Sequence, residues 1–90
     1  MEFDWLDAPF DLHAMPPKEI EESFEDPFCL RLLPENQADA RYFNLGVSLA
    51  NRGVFSAFRT DGKQGRVIFA RDMTPGERAF YERKNSELAG

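Results

Sequence analysis

Short apolar runs alternate with Pro, Gly, Asp and Asn along this chain, a rhythm of strands and turns with room for two helices. Glu2 to Leu6 alternates, with Phe3 and Trp5 on one face of a short strand. Leu6 to Met15 holds Pro9 and no helical period, so it reads as loop or a single turn, closed by Pro16 and Pro17. Within Lys18 to Glu25, Ile20 and Phe24 stand one turn apart, with Glu19, Glu22 and Glu25 elsewhere on the surface. This predicts a short helix that Pro17 can open and that packing on a sheet must hold.

Phe28 to Leu33 reads as the next strand, with Phe28, Leu30 and Leu32 on one face and Cys29, Arg31 and Leu33 on the other. Pro34 to Asp39 is polar and reads as loop. Arg41 to Leu49 predicts a strand turning Phe43, Leu45, Val47 and Leu49 inward, and Gly46 within it signals a bulge or a close backbone approach. A turn at Asn51-Arg52-Gly53, a strand over Val54 to Thr60 and a hairpin loop over Asp61 to Gly65 follow.

The strand from Arg66 carries Val67, Ile68 and Phe69, a run suited to burial on both faces. It turns directly into a helix. Thr74 and Glu77 make a capping box, and Pro75 takes the first helical position. The helix, about Pro75 to Leu88, offers Phe80, Tyr81 and Leu88 to the sheet. The last three strands make an antiparallel meander, the strand from Phe28 adds a fourth, and the first strand takes an edge. The expected class is α+β, a small antiparallel sheet with a short N-terminal helix and a C-terminal helix packed on it. Residues 1–90 form a single domain near the size where stability is thin.

Charge changes the picture more than composition does. Residues 1–40 carry eleven acidic residues against Lys18 and Arg31, a balance of −9. Residues 41–90 carry nine basic against five acidic, a balance of +4. The basic half points to phosphate or an acidic partner; the plainer alternative is that both halves are solvated faces. One cysteine cannot make an internal disulfide, and no apolar run is long enough to span a membrane, so a cytoplasmic protein is expected.

The inventory lacks CxxC, HExxH, a Gly-rich phosphate loop and a GxSxG elbow. With one histidine and one cysteine, neither a metal site nor a cofactor is expected. Metal-independent phosphodiester cleavage fits better. It needs cations on the scissile phosphate and groups that move a proton from the 2′-hydroxyl and to the leaving oxygen. Arginine suits the first task through its planar fork. With a hairpin loop over Asp61 to Gln64, Arg59 and Arg66 face each other, an unfavourable pair that an anion would relieve; the alternative is two solvent-facing arginines. Arg71 is either a phosphate holder or a strand-end partner of Glu77 or another local carboxylate. His13 is either a proton carrier or a plain loop residue. Tyr81 reads as a core aromatic and Cys29 as a small buried hydrophobe.

Four segments resemble, in order, the BrnT-type ribonuclease toxins of bacterial toxin–antitoxin systems. Phe3-Asp4-Trp5 is similar to the family's opening F-x-W. Glu21 to Pro27 resembles a compressed form of its E-E-A-x-x-V-F-x-D-P helix end. Arg41 to Gly46 with Ser48 is similar to E-R-F-x-x-L-G-x-S, and Ala70-Arg71 with Thr74, Glu77-Arg78 and Tyr81-Glu82 to A-R-x-x-T-x-x-E-R-x-x-Y-E. The resemblance implies a RelE-like fold and metal-independent RNA cleavage. It also implies a BrnA-type antitoxin partner, in a complex that allows a dimer. Arg71, Arg66 and His13 then become the catalytic candidates, and Arg59, Lys63, Arg41 and Arg78 the RNA-contacting ones. The family's N-x-x-K-H-G is replaced by Asp11-Leu12-His13-Ala14, with Leu12 at the lysine and Ala14 at the glycine. That departure keeps a second reading open, a noncatalytic relative that binds a partner protein.

Overall fold

The computed structural model describes residues 2–33 and 41–89. The chain forms β1 (Glu2–Phe3), α1 (Pro17–Glu25), β2 (Leu30–Leu32), β3 (Tyr42–Val47), β4 (Gly53–Thr60), β5 (Gln64–Asp72) and α2 (Pro75–Ala89). The fold is α+β. One five-stranded sheet has the order β1-β5-β4-β3-β2. Strands β2 to β5 are the antiparallel meander, and β1 joins the free edge of β5 in parallel, so the sheet is mixed. The polar loop expected at Pro34 to Asp39 lies outside the described residues. Among those described, no helix is long and apolar enough to cross a membrane.

Helix α1 backs onto one face of the sheet. Its Ile20 and Phe24 are buried with Met15, Val54, Phe58, Val67 and Ala70, and Phe3, Trp5, Phe10 and Tyr42 pack around them. Phe24 meets Phe3 and Phe58 edge to face at ring separations of 4.8 and 4.9 Å. Pro16 is extended and Pro17 opens the helix, since its missing N–H has no partner to lose there. Gly46 is a point of close approach between helix and sheet. A side chain there would collide with the Ser23 carbonyl, so the glycine marks a close backbone contact rather than a bulge.

The inward face of β3 differs from the expected one. The residues facing α1 are Tyr42, Asn44 and Gly46, because Gly46 admits the helix backbone and Asn44 Nδ2 donates to the Ser23 carbonyl at 3.4 Å. The apolar set Phe43, Leu45 and Val47 lies on the second face. Only Leu45 is fully buried there, and Leu49 falls beyond the strand, 89% exposed. Nor is Val67–Phe69 buried throughout. A bulge between the pairs Ala57–Phe69 and Phe58–Val67 leaves Ile68 as the extra residue, and Phe69 on the second face is 44% exposed.

The reason is the reach of α2. It meets the sheet chiefly over β3, and it touches β5 through the Arg71–Glu77 fork. Tyr81 is its buried anchor, while Leu88 is 79% exposed and Phe80 packs beneath Arg83 and Lys84. Tyr81 donates to Asp26 Oδ2 at 2.6 Å, and the same carboxylate accepts the amides of Val47 and Phe28, both at 2.9 Å. Asp26 thereby ties the end of α1 to β3 and α2. Burial, and then this bond, push the Tyr81 phenol well above its ordinary range.

Candidate functional site

The strand–helix junction folds as its residues dictate. The Glu77 amide donates to Thr74 Oγ1 at 3.2 Å, and the Thr74 amide donates back to Glu77 Oε1 at 2.8 Å. Arg71 adds a fork to this box, donating to both Glu77 oxygens at 2.7 and 2.9 Å. Its guanidinium also lies 4.4 Å from the Phe55 ring centroid. Arg71 holds the Glu77 carboxyl below its usual range, and Glu77 raises the Arg71 guanidinium further. Much of the donor capacity of Arg71 is therefore spent on its own helix cap.

The hairpin end is different. Arg59 and Arg66 are directly opposed across β4 and β5, the register that a loop over Asp61 to Gln64 requires. Both are exposed and line one shallow hollow of about 410 Å³ with Asp4, Thr60, Asp61, Gln64 and Gly65. Asp61 Oδ1 accepts the amides of Lys63 and Gln64 at 2.8 and 2.9 Å, and Asp4 Oδ1 accepts that of Leu6 at 3.0 Å. Those backbone amides, not an arginine, hold the Asp61 carboxyl below its ordinary range. Among the described residues neither arginine has a carboxylate partner; Arg66 reaches only the Asp7 carbonyl, at 3.4 Å. Gly62 supplies the left-handed turn (φ 97°) that lifts Lys63 to the exposed tip.

The remaining candidates are dispersed. Arg71 shares the second sheet face with Arg59, but the two strand positions beside them, Phe55 and Arg59, are four residues apart, roughly 13 Å along the strand. His13 sits on an exposed loop on the α1 side, its amide bonded to Asp11 Oδ1 at 2.8 Å and its neighbour Met15 in the core. Arg52 holds both the Ala14 carbonyl, next to His13, and the Asp72 carboxylate, next to Arg71, so this loop lies at the junction end of β5. Arg78 donates to Glu82 and Asn51 at the other end of β4 from Arg59. Arg41 is exposed just before β3, at the hairpin end. The described residues hold no cluster of three or more His, Cys, Asp or Glu placed to ligate a metal. Cys29 is half-buried, and burial pushes its thiol up, away from nucleophilic use.

Sequence reasoning missed Arg52, which reads there only as part of a turn. Its guanidinium donates to Asp72 Oδ1 and Oδ2 at 2.6 and 3.1 Å, Glu19 Oε2 at 2.7 Å and the Ala14 carbonyl at 2.9 Å. It clamps the end of β5 to α1 and the loop before it. Nothing local signals this, since the partners lie 20, 33 and 38 residues away. No family model matches this chain, and no curated protein matches it.

Proposed function

We propose that this protein is a BrnT-like toxin domain that engages RNA in the cytoplasm, gripping phosphate between Arg59 and Arg66. The observation that carries the reading is the opposed arginine pair in an exposed hollow with no carboxylate partner among the described residues. Two guanidinium groups held side by side repel each other, and a phosphate between them converts that cost into charge-assisted hydrogen bonds. The reading brings with it a BrnA-type antitoxin that silences the domain, and metal-independent cleavage as the activity to be sought.

A second reading has its own observation. The Arg71 fork is already taken up by both oxygens of Glu77 in its own helix cap, and His13 is an exposed loop residue. This favours a noncatalytic relative that binds a partner protein. The deciding experiment incubates the purified protein with bulk RNA, with and without chelator, beside the double variant Arg59→Ala/Arg66→Ala. Cleavage that survives chelator and is lost in the variant supports the ribonuclease. Salt-sensitive binding without cleavage supports RNA engagement alone. Neither binding nor cleavage leaves the partner-binding reading.

A further inference from the structure

The second sheet face carries more than the arginine pair. One cross-strand row runs Phe69, Ala57, Phe43, Leu32 over β5, β4, β3 and β2. The row beside it at the hairpin end is Arg66 and Arg59. The row on the other side holds Arg71 and Phe55, with Phe43 and Phe55 stacked at 5.6 Å. The bulge at Ile68 creates this arrangement. Without the extra residue, Phe69 and Arg66, three positions apart, would point to opposite faces; with it they share one.

Phe69 is 44% exposed beside two arginines without carboxylate partners among the described residues, and it lies on the face opposite the main core cluster. Its cross-strand neighbour is the small, buried Ala57. Leu32, at the far end of the row, is also partly exposed, at 38%. We infer that this face binds single-stranded RNA, with a base stacked on Phe69 and the adjacent phosphate held by Arg59 and Arg66. The inference rests on the RNA reading above and adds the substrate class. Every base offers a π-face, but only an unpaired base can leave its neighbours to lie on the ring. A duplex keeps its bases stacked inside and offers this surface phosphates alone. The occupant is chosen by charge: the arginines bordering the aromatic row suit a polyanion, whereas an apolar protein strand would leave them without partners.

The test is fluorescence anisotropy with a labelled oligouridine of about twelve nucleotides and a duplex of the same length, at low salt. The variants are Phe69→Leu, which keeps an apolar side chain without a π-face, and Phe69→Trp, which enlarges it. Circular dichroism checks that each is folded. Loss of one base–aromatic stack weakens binding by about tenfold. The expected result is that loss in Phe69→Leu on the single strand, recovery in Phe69→Trp, and no change in the weaker duplex binding. Equal single-strand affinity in wild type and Phe69→Leu overturns the stacking site while leaving RNA engagement intact. Duplex bound as tightly as single strand overturns the substrate class. Self-association abolished by Phe69→Leu, with RNA affinity unmoved, assigns the face to a protein contact and overturns the inference. Failure of the wild type to bind any RNA overturns both readings together.

Discussion

Gly46→Ala tests the contact on which the helix–sheet packing depends. A methyl group at Gly46 would overlap the Ser23 carbonyl oxygen, lie 2.8 Å from its carbon and 3.2 Å from Cys29 Cβ. Carbon–carbon contacts settle at roughly 3.5–4.0 Å, so α1 must retreat from β3 by the order of 1 Å. The obstacle is backbone, not a side-chain end that can swing aside. Retreat at this point strains the Asn44–Ser23 hydrogen bond and loosens Ile20 and Phe24, both buried against the sheet. Overpacking alone costs about 1–3 kcal/mol, and a buried hydrogen bond about 1 kcal/mol more. We expect a loss of about 3 kcal/mol, a large share of the 5–15 kcal/mol typical of whole domains. Urea melts followed by circular dichroism measure it. A variant with the midpoint of the wild type would refute the close contact and return Gly46 to an ordinary strand position.

Arg52→Met removes the clamp among Asp72, Glu19 and Ala14 while keeping an apolar stem; with both ion pairs partly exposed, we expect a loss of about 1–2 kcal/mol. Scanning calorimetry should show the melting point lower by roughly 5–10 °C, and an unchanged value would mean that the clamp is solvated. Ser56→Ala removes a fully buried hydroxyl with no hydrogen-bond partner among the described residues, so we expect it to be neutral or to stabilise by up to about 1 kcal/mol; a clear loss in a chemical melt would reveal a partner for that oxygen. Stability should also fall in acid. The folded Glu77 carboxyl titrates below its ordinary 4.5, so its contribution is present above that pH and is lost as pH falls through the depressed value. Urea midpoints from pH 7 to pH 3 should drop below about pH 4.5, and less steeply in Glu77→Gln; parallel curves would remove Glu77 from the account.

The parts of the fold legible in the sequence were those written locally. The capping box at Thr74 and Glu77, Pro17 and Pro75 at helix starts, and the hairpin loop after Thr60 all depend on neighbours within a few residues, whereas the turn expected at Asn51-Arg52-Gly53 begins earlier, at Ser48. Which face of a strand meets a helix is not local. The apolar parity of β3 points Phe43 and Val47 away from α1, because a glycine and an asparagine on the other parity let the helix backbone come close. The bulge at Ile68 was equally hidden, and it inverted the fate of Phe69. In the candidate site, the opposition of Arg59 and Arg66 followed from counting loop residues. The binding of Arg71 to Glu77 stood among the alternatives on spacing alone, whereas the Arg52 clamp spans too much sequence to leave a local trace.

The segments that carry the resemblance to the toxin family are explained here largely by folding. Asp26 caps its own turn and accepts from Val47 and Tyr81; Thr74 and Glu77 cap each other; Arg78 and Glu82 pair along the helix. A motif whose members satisfy one another maintains a shape, whatever the shape is used for. Function has to be sought among side chains whose presence the fold does not require. The hairpin end supplies them: Arg59 and Arg66 are opposed at an electrostatic cost, and Phe69 is held in solvent by a bulge that a regular strand would lack. Each feature disfavours the isolated molecule slightly, and both would be relieved by the ligand proposed above, which brings a negative charge and a flat ring within one nucleotide of each other. That coincidence gives the hairpin end a stronger claim to the working surface than the strand–helix junction, where Arg71 already has its partner.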